Sequence, residues 1–179
     1  MKQLLYLLFI PLAWLPAGRA VAQYVPVDQG SNVTFRIRNF GINSEGSFTG
    51  LEGKINWEPG DVSKAFFEVS VKAASVNTDN NMRDGHLRGE SYFDVEKYPA
   101  ISFVSTSVKA QKDGFVAVGK LTMKGTTKEI SIPFTAVEKD GGWFFSGEFT
   151  INRKDFGVGG SSTISSSLTV MLKVLVKKG

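Results

Sequence analysis

The sequence contains no cysteine, which excludes disulfides, thiolate catalysis, cysteine-ligated metals and the lipobox cysteine of a lipoprotein anchor. It contains one histidine, His86, so a metal site with two histidine ligands is excluded as well. A mononuclear site would need carboxylates from distant parts of the chain. We therefore expect no metal and no cofactor, and a fold that is stabilised by packing and backbone pairing alone.

A strong excess of one charge is also lacking. The chain has 21 basic and 17 acidic residues, and two of the basic ones, Lys2 and Arg19, lie in the N-terminal segment described next. Without that segment 19 basic residues face 17 acidic ones, and they are spread along the chain. Nucleic-acid binding needs a concentrated basic face, so we exclude nucleic acid as a partner.

Long apolar runs are lacking except at the start of the chain, where one extends from Leu4 to Leu15 and is followed by the small-residue triplet Ala20–Val21–Ala22. This pattern is typical of a cleaved signal peptide, and the run is too short to span a bilayer comfortably. Pro11, Pro16 and Arg19 interrupt this stretch and disfavour the alternative, an uncleaved membrane anchor. We expect cleavage before Gln23, leaving residues 23–179 as one domain in the periplasm, or secreted where no outer membrane exists.

Alternation of apolar and polar side chains dominates after residue 30 and predicts an all-β chain of antiparallel strands. Glycine-containing hairpin loops at residues 112–114, 124–126 and 139–142 favour an up-and-down order. Eight strands closed into a barrel leave an interior that holds one slender ligand. The predicted strands are 31–40, 44–57, 64–76, 100–111, 114–123, 127–138, 142–152 and 165–177.

The second of these strands, residues 44–57, changes the parity of its large apolar residues near Gly50 and Gly53. A bulge at glycine would let one long strand bend around a barrel corner. The alternative is two short strands joined by a glycine turn.

Helical spacing occurs only at residues 78–87, where Thr78 and Asp79 are plausible caps for about two turns. Residues 90–99 are interpreted as an ordered connection against one barrel end. The glycine- and serine-rich residues 157–167 are interpreted as a flexible loop.

Six segments resemble, in order and spacing, the YceI-like protein family. They are SNVTF at 31–35, RDGHLR at 83–88, YFD at 92–94, YPAISF at 98–103, GKLTMKGTTK at 119–128 and NRKDFG at 152–157. The resemblance implies an extended, lipocalin-like, eight-stranded antiparallel barrel that is periplasmic in the bacterial members. It also implies that the lumen holds a polyisoprenoid or another long amphipathic molecule, and it makes a homodimer reasonable. One departure is Asn39, where the family often has histidine before Phe-Gly.

A lipid-binding interior needs a continuous apolar lining. Ten residues fall on the inward parity of their predicted strands, and the alternative is that they pack together as a dry core. These residues are Phe35, Ile37, Phe48, Phe67, Val69, Phe103, Leu121, Phe134, Phe149 and Ile151.

A polar head group would need hydrogen-bond donors near a barrel mouth, and the candidates are Arg83, His86 and Arg153. The alternative is that Arg83 and Arg153 form local ion pairs with Asp84 and Asp155, which would fix the helix and the last loop. In the first interpretation the partner is an isoprenoid or other long-chain lipid, with transient membrane contact.

Two other functions compete with a lipid carrier. A serine hydrolase could use His86 with Asp84 or Asp94, but no Gly-x-Ser-x-Gly elbow is present. A stress-response or interaction module could use the surface of a solid barrel. Its outward strand positions are mostly charged, with Phe66 and Phe144 as exceptions that could form a dimer contact. We therefore expect a binding protein with no catalytic step.

Overall fold

A computed structural model describes residues 22–160 and 164–179. The predicted signal peptide therefore lies outside the described residues, apart from Ala22. The described chain forms ten strands and one α-helix. In chain order these are β1 (Gln23–Pro26), β2 (Asn32–Asn39), β3 (Ile42–Phe48), β4 (Glu52–Asn56), β5 (Phe66–Lys72), α1 (Asn81–Arg88), β6 (Ala100–Gln111), β7 (Gly114–Met123), β8 (Thr126–Lys139), β9 (Gly142–Asn152) and β10 (Ile164–Lys178).

The strands close into an antiparallel barrel with eight positions. Pairing runs around the ring from β1 through β4, β5, β6, β7, β8, β9 and β10, and β10 pairs back to β1. The long β10 pairs with β2 along its first part and with β1 at its end. Closure pairs the edges that an open sheet would leave free. The predicted all-β, eight-stranded, lipocalin-like barrel with one short helix is confirmed.

At two of the eight positions, two short strands together take the place of one long strand. β1 and β2 follow one another beside β10, while β3 pairs with β2 and β4 pairs with β1. Between β3 and β4 the chain bends at Gly50, whose φ is +71° and whose added Cβ would lie 2.7 Å from the Lys72 side chain. The structure thus shows two short strands joined at a glycine, and the single bulged strand over residues 44–57 is wrong.

Tight hairpins join β2 to β3, β6 to β7, β7 to β8 and β8 to β9, and they set the register of these pairs. Lys124 and Asp140 have positive φ and each precedes a glycine that also has positive φ, as a type I′ turn requires. Phe40 and Gly41 join β2 to β3 with the same backbone signs, φ 49° and 79°. A bulky residue is rare in this left-handed region and costs about 1–2 kcal/mol there.

One end of the barrel, called the floor below, is filled by aromatic rings. Trp57 follows β4 and is only 1% exposed. Its ring centroid lies 4.9 Å from that of Phe115, 5.3 Å from that of Phe145 and 5.7 Å from that of Phe134. Edge-to-face pairs at these distances are the favoured geometry for aromatic rings. The floor therefore closes this end by dense packing.

The opposite end is covered by α1 and the connection that follows it. The Asn80 side chain accepts a hydrogen bond from Arg83 N, so Asn80 is the N-cap and the helix begins three residues later than predicted. Thr78 is not the cap, because the residue that follows it, Asp79, has a left-handed φ of 56° and so does not belong to the helix. Residues 90–99 fold back on the helix as turns, and Phe93 N donates to Leu87 O. The predicted helix and ordered connection are therefore confirmed in type and position.

Candidate functional site

A cavity of about 490 Å³ lies inside the barrel, between the floor and α1. All ten apolar residues that the alternation places on the inward parity line this cavity. Those near the helix, such as Phe35, Ile37 and Phe149, are only half-buried, whereas Phe67 and Phe134 beside the floor are buried. The upper wall therefore surrounds open space, unlike a close-packed core in which such residues would fill one another's gaps. Their contact with a ligand stays a prediction.

Several wall residues escaped the prediction, which named no residue of the last strand. Leu168, Val170, Leu172 and Val174 alternate along β10 and all line the cavity. Their period of two is the signal that could have identified them. Six residues of strand at about 3.3 Å each, tilted by about 40°, give the cavity wall an axial height of roughly 15 Å.

The helix α1 brings polar side chains to the mouth of the cavity. Arg83 and His86 are exposed and both line the opening. Arg83 Nε donates to Thr78 Oγ1 at 2.7 Å, and its Nη2 donates to Thr78 O at 2.6 Å. Those bonds hold the guanidinium against the turn that precedes the helix. Arg83 is therefore fixed at the mouth.

Asp84, one residue further along α1, is buried beneath the same turn. Its Oδ1 accepts hydrogen bonds from both the backbone N–H and the hydroxyl of Thr78. This is an orienting role, because the carboxylate ties the turn to the helix rather than facing the opening. The predicted ion pair between Arg83 and Asp84 is wrong, since the ion pairs between described residues are Arg36–Glu45 and Asp61–Lys64.

Arg153 also lines the cavity but is only 3% exposed. Its Nη1 donates to Val158 O at 2.6 Å and to Gly159 O at 2.7 Å. Its Nε donates to Ser165 O, and its Nη2 donates to Ile164 O. The guanidinium thus holds the described parts of the segment 157–167, which was predicted to be flexible, against the barrel. The predicted pair with Asp155 is likewise absent from the ion pairs between described residues.

Asn39, at the end of β2, presents a polar atom to the cavity wall. Its Oδ1 is buried, and no described residue donates a hydrogen bond to it. A buried acceptor without a partner is costly in an apolar cavity. Asn39 therefore places an unsatisfied oxygen at the cavity wall, and the sequence identifies this residue only as a departure from the family pattern.

Neither catalytic nor metal-binding geometry is found in the part of the chain that the structure describes. No hydrogen bond there joins the His86 side chain to a serine or to a carboxylate, and Asp84 is engaged by Thr78. No group of three or more potential metal ligands occurs among the same residues. Within residues 22–160 and 164–179, no helix has the length and apolarity needed to cross a membrane.

The chain is similar to known proteins over nearly all of its length. A sequence profile of the YceI-like domain matches residues 24–176. A UPF0312 protein of Pseudomonas putida is 32% identical over 97% of this chain and 96% of its own length. Among solved structures, Burkholderia cenocepacia BcnA superposes with a TM-score of 0.79 at 22% identity, covering 84% of this chain and 98% of that protein.

A second similar structure is a polyisoprenoid-binding domain from Saccharophagus degradans that is implicated in plant cell wall breakdown. Its TM-score is 0.70 at 14% identity, and the match covers 89% of this chain and all of that domain. At such low identity both structural matches establish the shared barrel fold.

Proposed function

Because this chain belongs to the YceI-like family, we propose that it holds a long-chain isoprenoid or a similar amphipathic lipid in the barrel lumen. In this proposal it transports, stores or sequesters the lipid in the periplasm after export by its signal peptide. The match to the family profile and the name of the Saccharophagus degradans domain support the lipid class. The leader pattern supports the compartment.

The apolar cavity with one open end is the observation that carries the proposal. Its wall is built from aliphatic and aromatic side chains of β2, β5, β6, β7, β8, β9 and β10. Each ligand methylene moved from water into such a site contributes about 0.8 kcal/mol. A slender hydrocarbon chain gains this along its whole length, whereas a polar metabolite would find few partners on the wall. The tail would point to the Trp57 floor and the head group to α1.

The polar groups at the mouth suit the head group of such a lipid. Arg83 carries a positive charge at the opening, and His86 adds an exposed imidazole that can donate a hydrogen bond. Asn39 adds an unsatisfied acceptor, its Oδ1, which can accept a hydrogen bond from a hydroxyl. The donors Arg83 and His86 suit a phosphate or a quinone oxygen. In contrast, the Arg153 guanidinium donates hydrogen bonds to backbone carbonyls. It therefore contributes positive charge to the cavity wall rather than a donor for the head group.

The proposal includes no catalytic step. A homodimer through Phe66 and Phe144 stays a prediction, and both rings are half-buried in the monomer. The Lys139 ammonium lies 5.3 Å from the Phe144 ring centroid, which partly covers that surface.

Native mass spectrometry of the mature protein from an exporting host, followed by solvent extraction, tests the proposal. A stoichiometric isoprenoid lipid that is released only on denaturation is the expected result. A protein that is purified empty and also refuses added polyprenyl phosphate would contradict it. That outcome would favour a barrel that acts through its surface.

A further inference from the structure

We propose that the barrel docks on a lipid bilayer through the mouth rim, a patch of three exposed apolar residues beside the cavity opening. The mouth rim consists of Phe40, Ile42 and Met82, which are 77%, 72% and 76% exposed. This inference rests on the proposed function, because a lipid that is insoluble in water must enter the cavity from a membrane.

The mouth rim borders the cavity from two sides. Phe40 and Ile42 occupy the tip of the β2–β3 hairpin, and Asn39, directly before the tip, lines the cavity. Met82 lies in the first turn of α1 and itself lines the cavity. Exposed apolar side chains therefore lie on the outer surface beside the opening of the apolar lumen. A lipid tail that leaves a bilayer here would meet apolar side chains before it reaches the lumen.

The backbone at Phe40 is an independent sign of an external contact. The residue has a φ of 49°, a region that asparagine, aspartate and glycine favour and that bulky residues avoid. The hairpins at Lys124–Gly125 and Asp140–Gly141 have the same pair of positive φ values, and there the first residue is polar. Phe40 is also mostly exposed, so neither turn geometry nor internal packing accounts for an aromatic ring at this tip. A strained residue at a binding surface is a recurrent feature of functional sites.

The charges around the mouth rim suit an anionic bilayer. Arg36 and Arg38 are exposed on the stem of the same hairpin, and Arg83 is exposed on α1. Exposed carboxylates offset part of this charge, since Glu45 Oε1 lies 2.8 Å from Arg36 Nε and Asp79 is exposed just before α1. The remaining positive charge would be attracted to anionic head groups once the rim is near the surface.

The pairing of β3 limits how deeply the rim can enter the bilayer. Along residues 42–46 this strand pairs with β2 on one edge only, and an isolated bridge joins Ser47 to Asn77. Unpaired backbone groups are not tolerated in the hydrocarbon core. The tip and Met82 would therefore insert at the level of the head groups, with the free edge of β3 above them.

Vesicle co-sedimentation of the mature protein measures this docking directly. The vesicles contain phosphatidylcholine either alone or with phosphatidylglycerol. We expect binding that is stronger with phosphatidylglycerol and weaker at high salt. The variants Phe40→Asn and Ile42→Asn should each lower binding about tenfold, through the loss of one partly inserted apolar side chain. Phe40→Asn should fold at least as stably as the wild type, because asparagine accepts the left-handed conformation.

The matched control is Val137→Asn, which removes an apolar side chain of 61% exposure near the floor end of the barrel. It should leave vesicle binding unchanged. Equal losses in this control and in the rim variants would overturn the proposal, because adsorption would then be non-specific. A wild-type protein that binds neither kind of vesicle would overturn it too.

The affinity for polyprenyl phosphate supplied in detergent micelles separates this inference from the proposed function. The Phe40→Asn and Ile42→Asn variants, whose side chains do not line the cavity, should keep that affinity but take up lipid from vesicles more slowly. If the protein binds polyprenyl phosphate but not vesicles, the docking proposal is wrong and the carrier function stands. If the protein binds vesicles through the rim but takes no lipid into the lumen, the proposed carrier function is wrong.

Discussion

Replacing Val170 with tryptophan would fill the lumen at the middle of its wall. Val170 lies on β10 between Phe149 of β9 and Phe35 of β2, and all three side chains line the cavity. The substitution adds about seven heavy atoms to an open space, and filling a cavity commonly stabilises a protein by about 0.5–2 kcal/mol. The lipid-free variant should therefore unfold at the same temperature as the wild type or at a higher one.

The same ring should compete with the lipid for room. If about four ligand carbons lose their apolar contact, the affinity falls by about 3 kcal/mol, which is more than a hundredfold in Kd. Titration of the delipidated variant with polyprenyl phosphate measures this loss, and thermal unfolding of the same sample measures stability. The two effects have opposite signs, so a general loss of structure cannot produce both.

The control is Val104→Trp, on the outward side of β6, where Val104 is partly exposed and pairs with Glu68 and Lys120. It should change neither affinity nor stability strongly. Unchanged binding in Val170→Trp would place the lipid outside the lumen. A destabilisation of about 1–3 kcal/mol in that variant would show instead that the wall is close-packed, as an overfilled core is.

Substitutions at three further residues test the floor, the helix and the loop. In urea unfolding, Trp57→Ala should lower the free energy of unfolding by about 3–5 kcal/mol. Trp57→Phe should lower it much less, because no described residue accepts a hydrogen bond from the buried indole N–H. Equal losses in the two variants would contradict this expectation. Asp84→Ala should leave the Thr78 donors unsatisfied and speed hydrogen exchange in α1, whereas Asp84→Asn should keep an acceptor and most of the protection. Arg153→Lys should cost about 1.5–3 kcal/mol, because an ammonium cannot reach all the carbonyls that the guanidinium holds. Unchanged stability in that variant would favour a head-group role that depends on charge alone.

The barrel wall could be predicted from the sequence because its strands separate two environments. Phe35 and Ile37 face the interior while Arg36 and Arg38 face water, and this alternation repeats in most of the strands. Hairpin residues such as Asp140, followed by glycine, then fix the register of neighbouring strands. The fold class, the antiparallel order of the hairpin-linked strands and the ten predicted inward residues follow from these local signals.

Other features could not be predicted, because they depend on contacts between distant parts of the chain. β1 has four residues without a clear alternation, and it is a strand only because β4 and the end of β10 pair with it. Arg153 was read as a head-group donor or an ion-pair partner, but its carbonyl partners are set by the path of the following loop. Hydrogen bonds to the backbone carbonyls of a loop leave no recognisable pattern in the amino-acid sequence.

The side chains alone do not determine whether the barrel is hollow. The same phenylalanines could pack as a dry core, but the hydrogen-bonded ring of eight strands fixes the diameter of the barrel. Narrowing of the lumen would require the strand ladders around the ring to separate. Trp57 and its neighbours fill only the floor, and the cavity occupies the space between them and α1. A preformed cavity costs the ligand little reorganisation. Affinity should therefore respond to the volume of the lumen more than to the flexibility of the wall, and Val170→Trp measures that dependence.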